Sequence, residues 1–362
     1  MKLVADSGLW STGTPVGPTP AVAVLEVSGA VLSWTVDDLS GAAQITFTDL
    51  PRADWLWRIL GESGHSAVAA ALDGRMPDDA QAIELAGVGL LPGSVDSLRR
   101  LALGHWLRRW WPASHRDGIA ALDAALLDAE IAVLTAAAQD FFTDETLDSD
   151  VAGLLAPHAA ALNGHIRAGD PRVVELVRAA TDLADDVGIA IAEAAPVTPR
   201  RDDYALAAGS GSGERGSDAI SRGTSSLNWG GVPPAIFDAA ENTIDWRVVA
   251  DETAKAIVRV QLSGGGLADG IAVSLRSDTV SGAGVLDAEG RASFPLVDAQ
   301  HQPLTEAAAW DHDWRTIVVT VGADVEESPQ TRERIRDFAR ARLAEPGSDA
   351  FLAEILAAES DY

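Results

Sequence analysis

The spacing of apolar residues changes period twice along this chain, and that change limits its possible folds more than any single motif does. Residues 21–27, 30–36 and 44–48 are rich in Val, Ile, Trp and Phe, with Ser28-Gly29 and Ser40-Gly41 as punctuation. Ile45 and Phe47 alternate with Gln44, Thr46 and Thr48, as a half-buried strand requires. From residue 53 the period becomes helical. Short helices are expected at 54–60, 66–72 and 78–85, and Ser94 precedes a stronger one over 95–111 that Pro112 ends. Asp117 is expected to cap a long helix reaching about residue 141. Its stripe is Ile119, Leu122, Leu126, Ala129, Val133 and Ala137, and Asp123, Asp128 and Glu130 fall largely off it. Asp170-Pro171 opens a further helix, because proline suits the first helical position; Val173, Leu176, Val177, Ala180, Leu183, Ala184, Val187 and Ile191 form its apolar face.

Residues 197–228 break this pattern. Pro, Arg, Asp, Gly and Ser dominate, with Gly-Ser-Gly-Ser-Gly at 209–213, so a flexible linker is expected. Beyond it, 244–249, 256–262, 271–275, 292–297 and 316–321 are short β-rich runs separated by turn residues. Val258, Val260 and Leu262 share one face of their strand and Arg259 and Gln261 the other. Asp287-Ala-Glu-Gly290 sits between two such runs and signals a hairpin. Ser328-Pro329 starts another helix, and Asp349 is placed to cap a last one after the break at Pro346-Gly347. The fold expected is therefore α+β and multidomain. Residues 1–52 form a small antiparallel β meander packed on an α-helical domain at 53–196. The flexible Gly/Ser linker at 197–228 leads to an antiparallel β-sandwich of immunoglobulin or transthyretin type at 229–327, and C-terminal helices follow at 328–362.

Charge narrows the partners. There are 54 acidic residues against 27 basic ones, a net charge of −27, spread over both large regions: 22 acidic against 10 basic in 53–199, and 16 against 6 in 229–327. Such a surface repels nucleic acid and anionic membranes, so direct nucleic-acid binding is not expected. The chain contains no cysteine, which removes disulfides, thiolate nucleophiles and Cys-ligated metal, and fits a reducing compartment. Asp6 and Gly8 interrupt the N-terminus before an apolar signal core could form, and no stretch approaches the ~18 apolar residues of a membrane span. A cytoplasmic location is expected.

Catalytic motifs are sparse. There is no HExxH, no GxSxG and no Walker A sequence, and Gly211-Ser-Gly-Glu-Arg-Gly216 matches GxGxxG without the strand and helix that give that motif meaning. His158 and His165 are seven residues apart with no ligand pattern around them. His312, between Asp311 and Asp313, reads as a loop that a cation could visit. Ser114-His115-Arg116-Asp117 reads as a turn between helices, since triads assemble from separated elements. No catalytic residue, cofactor ligand or metal ligand is assigned.

Against the acidic background one reversal stands out. Arg99, Arg100, Arg108, Arg109 and Arg116 are interleaved with Trp106, Trp110 and Trp111, and Arg332, Arg334, Arg336, Arg340 and Arg342 make a smaller basic face near the C-terminus. Arg with Trp is the composition of binding hot spots and also of core helices whose Arg pair with acids. The candidate protein-binding residues are Arg99, Arg100, Trp106, Arg108, Arg109, Trp110, Trp229, Arg332, Arg336 and Arg340. Trp229, in Trp-Gly-Gly-Val-Pro-Pro, is expected to clip over the sandwich edge or to serve as a recognition segment.

The hairpin over 284–294 resembles those of transthyretin-like and carboxypeptidase-regulatory modules, which are non-catalytic β-sandwiches; the resemblance implies no functional residue. The function expected is a non-catalytic, protein-binding adaptor or scaffold component with a protein partner. Two alternatives stay open: a hydrolase-type enzyme with a carboxylate/His site in the helical domain, and an acidic inhibitor that mimics nucleic acid.

Overall fold

A computed structural model describes residues 1–13, 16–38, 42–75, 77, 82–142, 148–189 and 219–360. The chain divides into two compact units, Met1–Trp111 with Leu122–Glu193 and Pro329–Tyr362, and Pro112–Ala121 with Ala194–Ser328. The C-terminal helices therefore belong to the first unit. The architecture is the expected α+β mixture of antiparallel sheets and helices.

In the first unit, six strands make one antiparallel sheet. They are β1 (Lys2–Asp6), β2 (Leu9–Thr12), β3 (Val22–Val27), β4 (Ala30–Thr35), β5 (Gln44–Phe47) and β6 (Ile83–Glu84), in the order β3-β4-β5-β2-β1-β6. The meander β3-β4-β5 falls where alternation places it. Alternation alone missed β1, β2 and the two-residue β6, which lies where a short helix over 78–85 was expected. The sheet's buried residues, among them Leu3, Trp10, Leu25, Leu32, Trp34 and Ile45, join the helical core.

The helices of this unit are α1 (Trp57–Leu72), α2 (Asp96–Trp110), α3 (Ala124–Ala138), α4 (Asp148–Leu155), α5 (Ala159–Ala168) and α6 (Pro171–Asp186). The expected helices at 54–60 and 66–72 are one element, α1, interrupted at Gly61, whose φ of 72° leaves the helical region. Ser94 does not cap α2; its hydroxyl donates to the Leu91 carbonyl, and Val95 occupies the cap position. Asp117 does not cap α3 either. That helix starts seven residues later, with Asp123 accepting from the Leu126 N–H, because residues 112–121 leave the helical unit for the other one. Asp170 caps α6 as expected, with Pro171 in the first turn, and Val173, Val177, Ala180 and Ala184 are buried. Ile191 lies outside the described residues.

The chain ends in two helices, labelled α8 (Pro329–Ala344) and α9 (Leu352–Ser360) because the second unit holds α7 (Glu306–Asp311). Phe351, just before α9, packs against α2 at Gly104, where an added Cβ would stand 2.8 Å from both Ile131 Cγ1 and Phe351 Cζ. Only glycine permits that approach. Asp349 does not cap α9; the Glu354 carboxylate accepts from the Phe351 N–H at 2.9 Å, and Glu130 on α3 accepts from the Leu352 N–H at 2.8 Å.

The second unit holds two antiparallel sheets. One is β11-β10-β13, from β10 (Ala272–Ser277), β11 (Val280–Val285) and β13 (Val318–Val321). The other is β12-β9-β8-β7, from β7 (Ser221–Ser225), β8 (Ile244–Asp251), β9 (Thr253–Val260) and β12 (Arg291–Pro295). The linker expectation fails at its C-terminal end: residues 221–225 pair with β8 as an edge strand, and Leu227 is buried. Residues 197–218 lie outside the described residues. The expected 284–294 hairpin is also corrected. Asp287 does form the turn, accepting from the Glu289 and Arg291 N–H groups at 3.0 and 2.8 Å, but β11 pairs with β10 and β12 with β9. The segment crosses between sheets, so the pairing that carried the transthyretin-like resemblance is not made.

Candidate functional site

The Arg and Trp residues singled out in the sequence are occupied within the first unit. Trp106 is 2 % exposed, donates its indole N–H to the Pro20 carbonyl at 2.6 Å, and meets the Phe338 ring edge-on at 5.7 Å. Arg99 donates to the Asp38 carbonyl, and Arg100 pairs with Glu130 while lying over the Phe351 ring. Arg108 Nε lies 2.9 and 3.1 Å from the two oxygens of Asp128. Arg109 stacks on half-buried Trp110 at 4.2 Å. Arg332 and Arg336 are buried, and Arg340 pairs with Asp337 one turn away. In the second unit, Trp229 is buried, and Glu327 receives the N–H groups of Trp229 and Gly230.

Two histidines of the first unit meet carboxylates. His158 Nε2 is 3.0 Å from buried Asp128, which already faces Arg108, and His165 Nε2 is 2.9 Å from Asp123. Asp128 falls off the apolar stripe read from the sequence, yet it is 3 % exposed, and these two partners meet the need of a buried carboxylate for countercharge. Asp170 is taken by Arg172, which holds its carboxyl down to about 2. His312 shares a hydrogen bond with Ser277 and lies edge-on to Trp314, while Asp313 turns to Arg315. Among the described residues no group of three or more His, Asp and Glu could hold a metal ion, and no helix is long and apolar enough to cross a membrane.

A different surface concentrates charge. On the four-stranded sheet of the second unit, Ala254, Ala256, Val258, Val260, Ala292 and Phe294 point into the core. Alternation then sends Lys255, Ile257 and Arg259 of β9 and Arg291, Ser293 and Pro295 of β12 to the opposite face. Asp245 and Arg247 of β8 and Arg222 and Thr224 of β7 join them through the register. Row by row, that register sets Arg291 beside Arg259, then Asp245 and Thr224. The next row is Ser293, Ile257, Arg247 and Arg222.

Two pairs of cations therefore stand directly opposite each other across neighbouring strands, Arg291 with Arg259 and Arg247 with Arg222. Like charges so placed are destabilising. The described stretches of this unit, 112–121 and 219–328, hold eight Lys and Arg against seventeen Asp and Glu. Five of the eight lie on this one face, and a sixth, Arg116, lies beside it.

The face is hollowed. A basin of about 850 Å³ is lined by Asp245, Arg247, Lys255, Arg259, Arg291 and Ser293, among others. A second hollow of about 550 Å³ is lined by His115, Arg116, Glu289 and again by Arg259 and Arg291. Buried Asp238 sets the position of Arg116. Its carboxylate accepts from Ser114 Oγ at 2.6 Å, from the His115 N–H at 2.9 Å and from the Ala240 N–H at 2.9 Å. Arg116 in turn donates to the Glu241 and Asn242 carbonyls.

Comparisons of the chain with protein families, with curated proteins and with solved structures return no match. Function has to be read from geometry.

No run of sequence marks this face, because its cations are spread over four strands and a distant loop. The signal was present in the alternation of Arg259 against Val258 and Val260, once the neighbours of that strand are known.

Proposed function

We propose that this chain is a non-catalytic binding protein, an adaptor or assembly component, that docks an acidic protein segment on the open face of its four-stranded sheet. The observation that carries the reading is the register that sets Arg291 directly opposite Arg259, in a chain with twice as many acids as bases. Like charge set on opposed residues of a folded sheet is destabilising, and an acidic ligand reverses the sign of that interaction. Ile257, Pro295 and the stems of the cations supply apolar contact between the charges. A protein segment fits better than a nucleic acid. The outward-facing strand residues include no aromatic ring on which bases could stack. The lack of cysteine fits a partner in the cytoplasm.

Fluorescence anisotropy with labelled polyglutamate tests the reading. Binding is expected at low salt, falling as salt rises, and is expected to be lost in Arg259→Glu/Arg291→Glu. Arg276→Glu/Arg315→Glu, at sites off this face, is expected to bind as the parent does. Equal loss in both double variants, or no binding by the parent, refutes the reading.

A further inference from the structure

Within that face, and resting on the docking reading, we propose that Arg259 and Arg291 clasp the phosphate dianion of a phosphorylated serine or threonine on the acidic partner segment. The two guanidinium groups belong to directly opposed residues of β9 and β12, both exposed. They line both hollows and so form the wall between them. Among the described residues neither forms an ion pair with a carboxylate. Asp287, four residues before Arg291, directs Oδ1 to the backbone N–H groups of Glu289 and Arg291. The other charged groups facing the site are Asp245 and Glu289 on the acidic side and Arg247, Lys255 and Arg116 on the basic side, with His115 at the rim.

Charge and geometry favour a compact dianion. A single carboxylate is satisfied by one guanidinium fork and leaves the second cation with its repulsion unrelieved, whereas a phosphate monoester has three acceptor oxygens and nearly two charges to share between two forks. The rest of the chain repels anions over long range, but at physiological ionic strength screening cuts interactions off within about 8 Å. A ligand is therefore held by dense charge at short range rather than by a long charged chain. The hollows on either side leave room for the flanking residues of a peptide.

The test uses the full chain and four probes: an acidic Glu/Gly peptide with a central phosphoserine, the same peptide with serine, inorganic phosphate alone, and a single-stranded oligonucleotide of the phosphopeptide's charge. Calorimetry is expected to show the phosphopeptide binding at least about tenfold tighter than the serine peptide, as charge-assisted hydrogen bonds of this kind imply. Arg259→Gln/Arg291→Gln is expected to abolish that difference, while Arg276→Gln/Arg315→Gln preserves it. A second readout needs no variant. Lowering the pH from 7.5 to 5.5 is expected to weaken the phosphopeptide, whose second ionisation lies near pH 6, and not the serine peptide. Protonation of His115 would act in the opposite direction, so it cannot mimic this loss.

Equal affinity for the two peptides overturns the phosphate site and leaves the docking reading standing; no binding of either removes both. Inorganic phosphate binding as tightly as the phosphopeptide overturns the peptide-borne source. A single-stranded oligonucleotide of equal charge binding more tightly than the phosphopeptide overturns the choice of a protein partner.

Discussion

Replacing Glu354 by Gln removes the negative half of an ion pair that has almost no access to water. Glu354 is 0 % exposed and the Arg342 side chain 7 %; their contacts are Nε to Oε1 at 2.5 Å and NH2 to Oε2 at 2.8 Å. Burial by itself would pull the Arg342 guanidinium down, but the hydrogen bonds and charge of Glu354, with help from Asp349, hold it above its ordinary value. With Gln at 354, Arg342 is left to Asp349, at 3.3 Å and 40 % exposed. Orphaning one member of a buried pair typically costs about 3–5 kcal/mol, whereas replacing both by apolar residues of similar volume is often neutral or stabilising by about 1–4 kcal/mol. Set against a total stability of about 5–15 kcal/mol, the single substitution is severe. The expected fall in melting temperature is on the order of 10 °C, from roughly 2–4 °C per kcal/mol for a domain of this size. The assay is urea and thermal unfolding followed by tryptophan fluorescence, to which Trp106 contributes through its contact with Phe338 on α8. Glu354→Gln, Arg342→Met and the double variant Arg342→Met/Glu354→Leu together close a thermodynamic cycle. A cost below about 1 kcal/mol for Glu354→Gln, or a double variant no more stable than that single one, would show that this pair does not join α8 to α9 as argued.

Two further outcomes follow from the same structure. Asp238→Ala leaves Ser114 Oγ and the His115 and Ala240 N–H groups without their acceptor; at about 1–3 kcal/mol for an unsatisfied buried donor, the 112–121 loop is expected to lose hydrogen-exchange protection before the sheets do, and unchanged protection at His115 would refute the assignment. Asp170, held down to about 2 by Arg172, supports the folded state above its ordinary value of 3.8, and that support is lost as pH falls through 3.8 toward 2; Asp170→Asn is expected to flatten this part of an acid-unfolding curve, and an unaltered curve counts against it.

How far the sequence could be read differs from element to element, for physical reasons. Local interactions made β3, β4, β5 and α6 legible: alternation over 44–47 and the Asp170-Pro171 start each depend on residues within a few positions of one another. The start of α3 was misplaced because its apolar period continues back through Ile119, while that residue bridges to Ser114 in the other unit. Nothing local distinguishes the two outcomes. The burial of Asp128, off the apolar stripe, was not legible because helical spacing says which residues share a face, not which neighbour covers that face; Arg108 on α2 and His158 meet it there. The Arg- and Trp-rich helix was legible as an element, and its partners, Pro20, Phe338 and Glu130, were not.

What the chain settles by itself is its class of architecture, since hydrophobic period is a property of neighbouring residues and survives any arrangement of the whole. Strand order and register belong to the tertiary structure alone. They decided that Arg222, Arg247, Lys255, Arg259 and Arg291, scattered over some seventy positions of an acidic sequence, come to lie on one face. Side chains on different strands become neighbours only when backbone hydrogen bonds align those strands, and that alignment is set by burial of the opposite, apolar face.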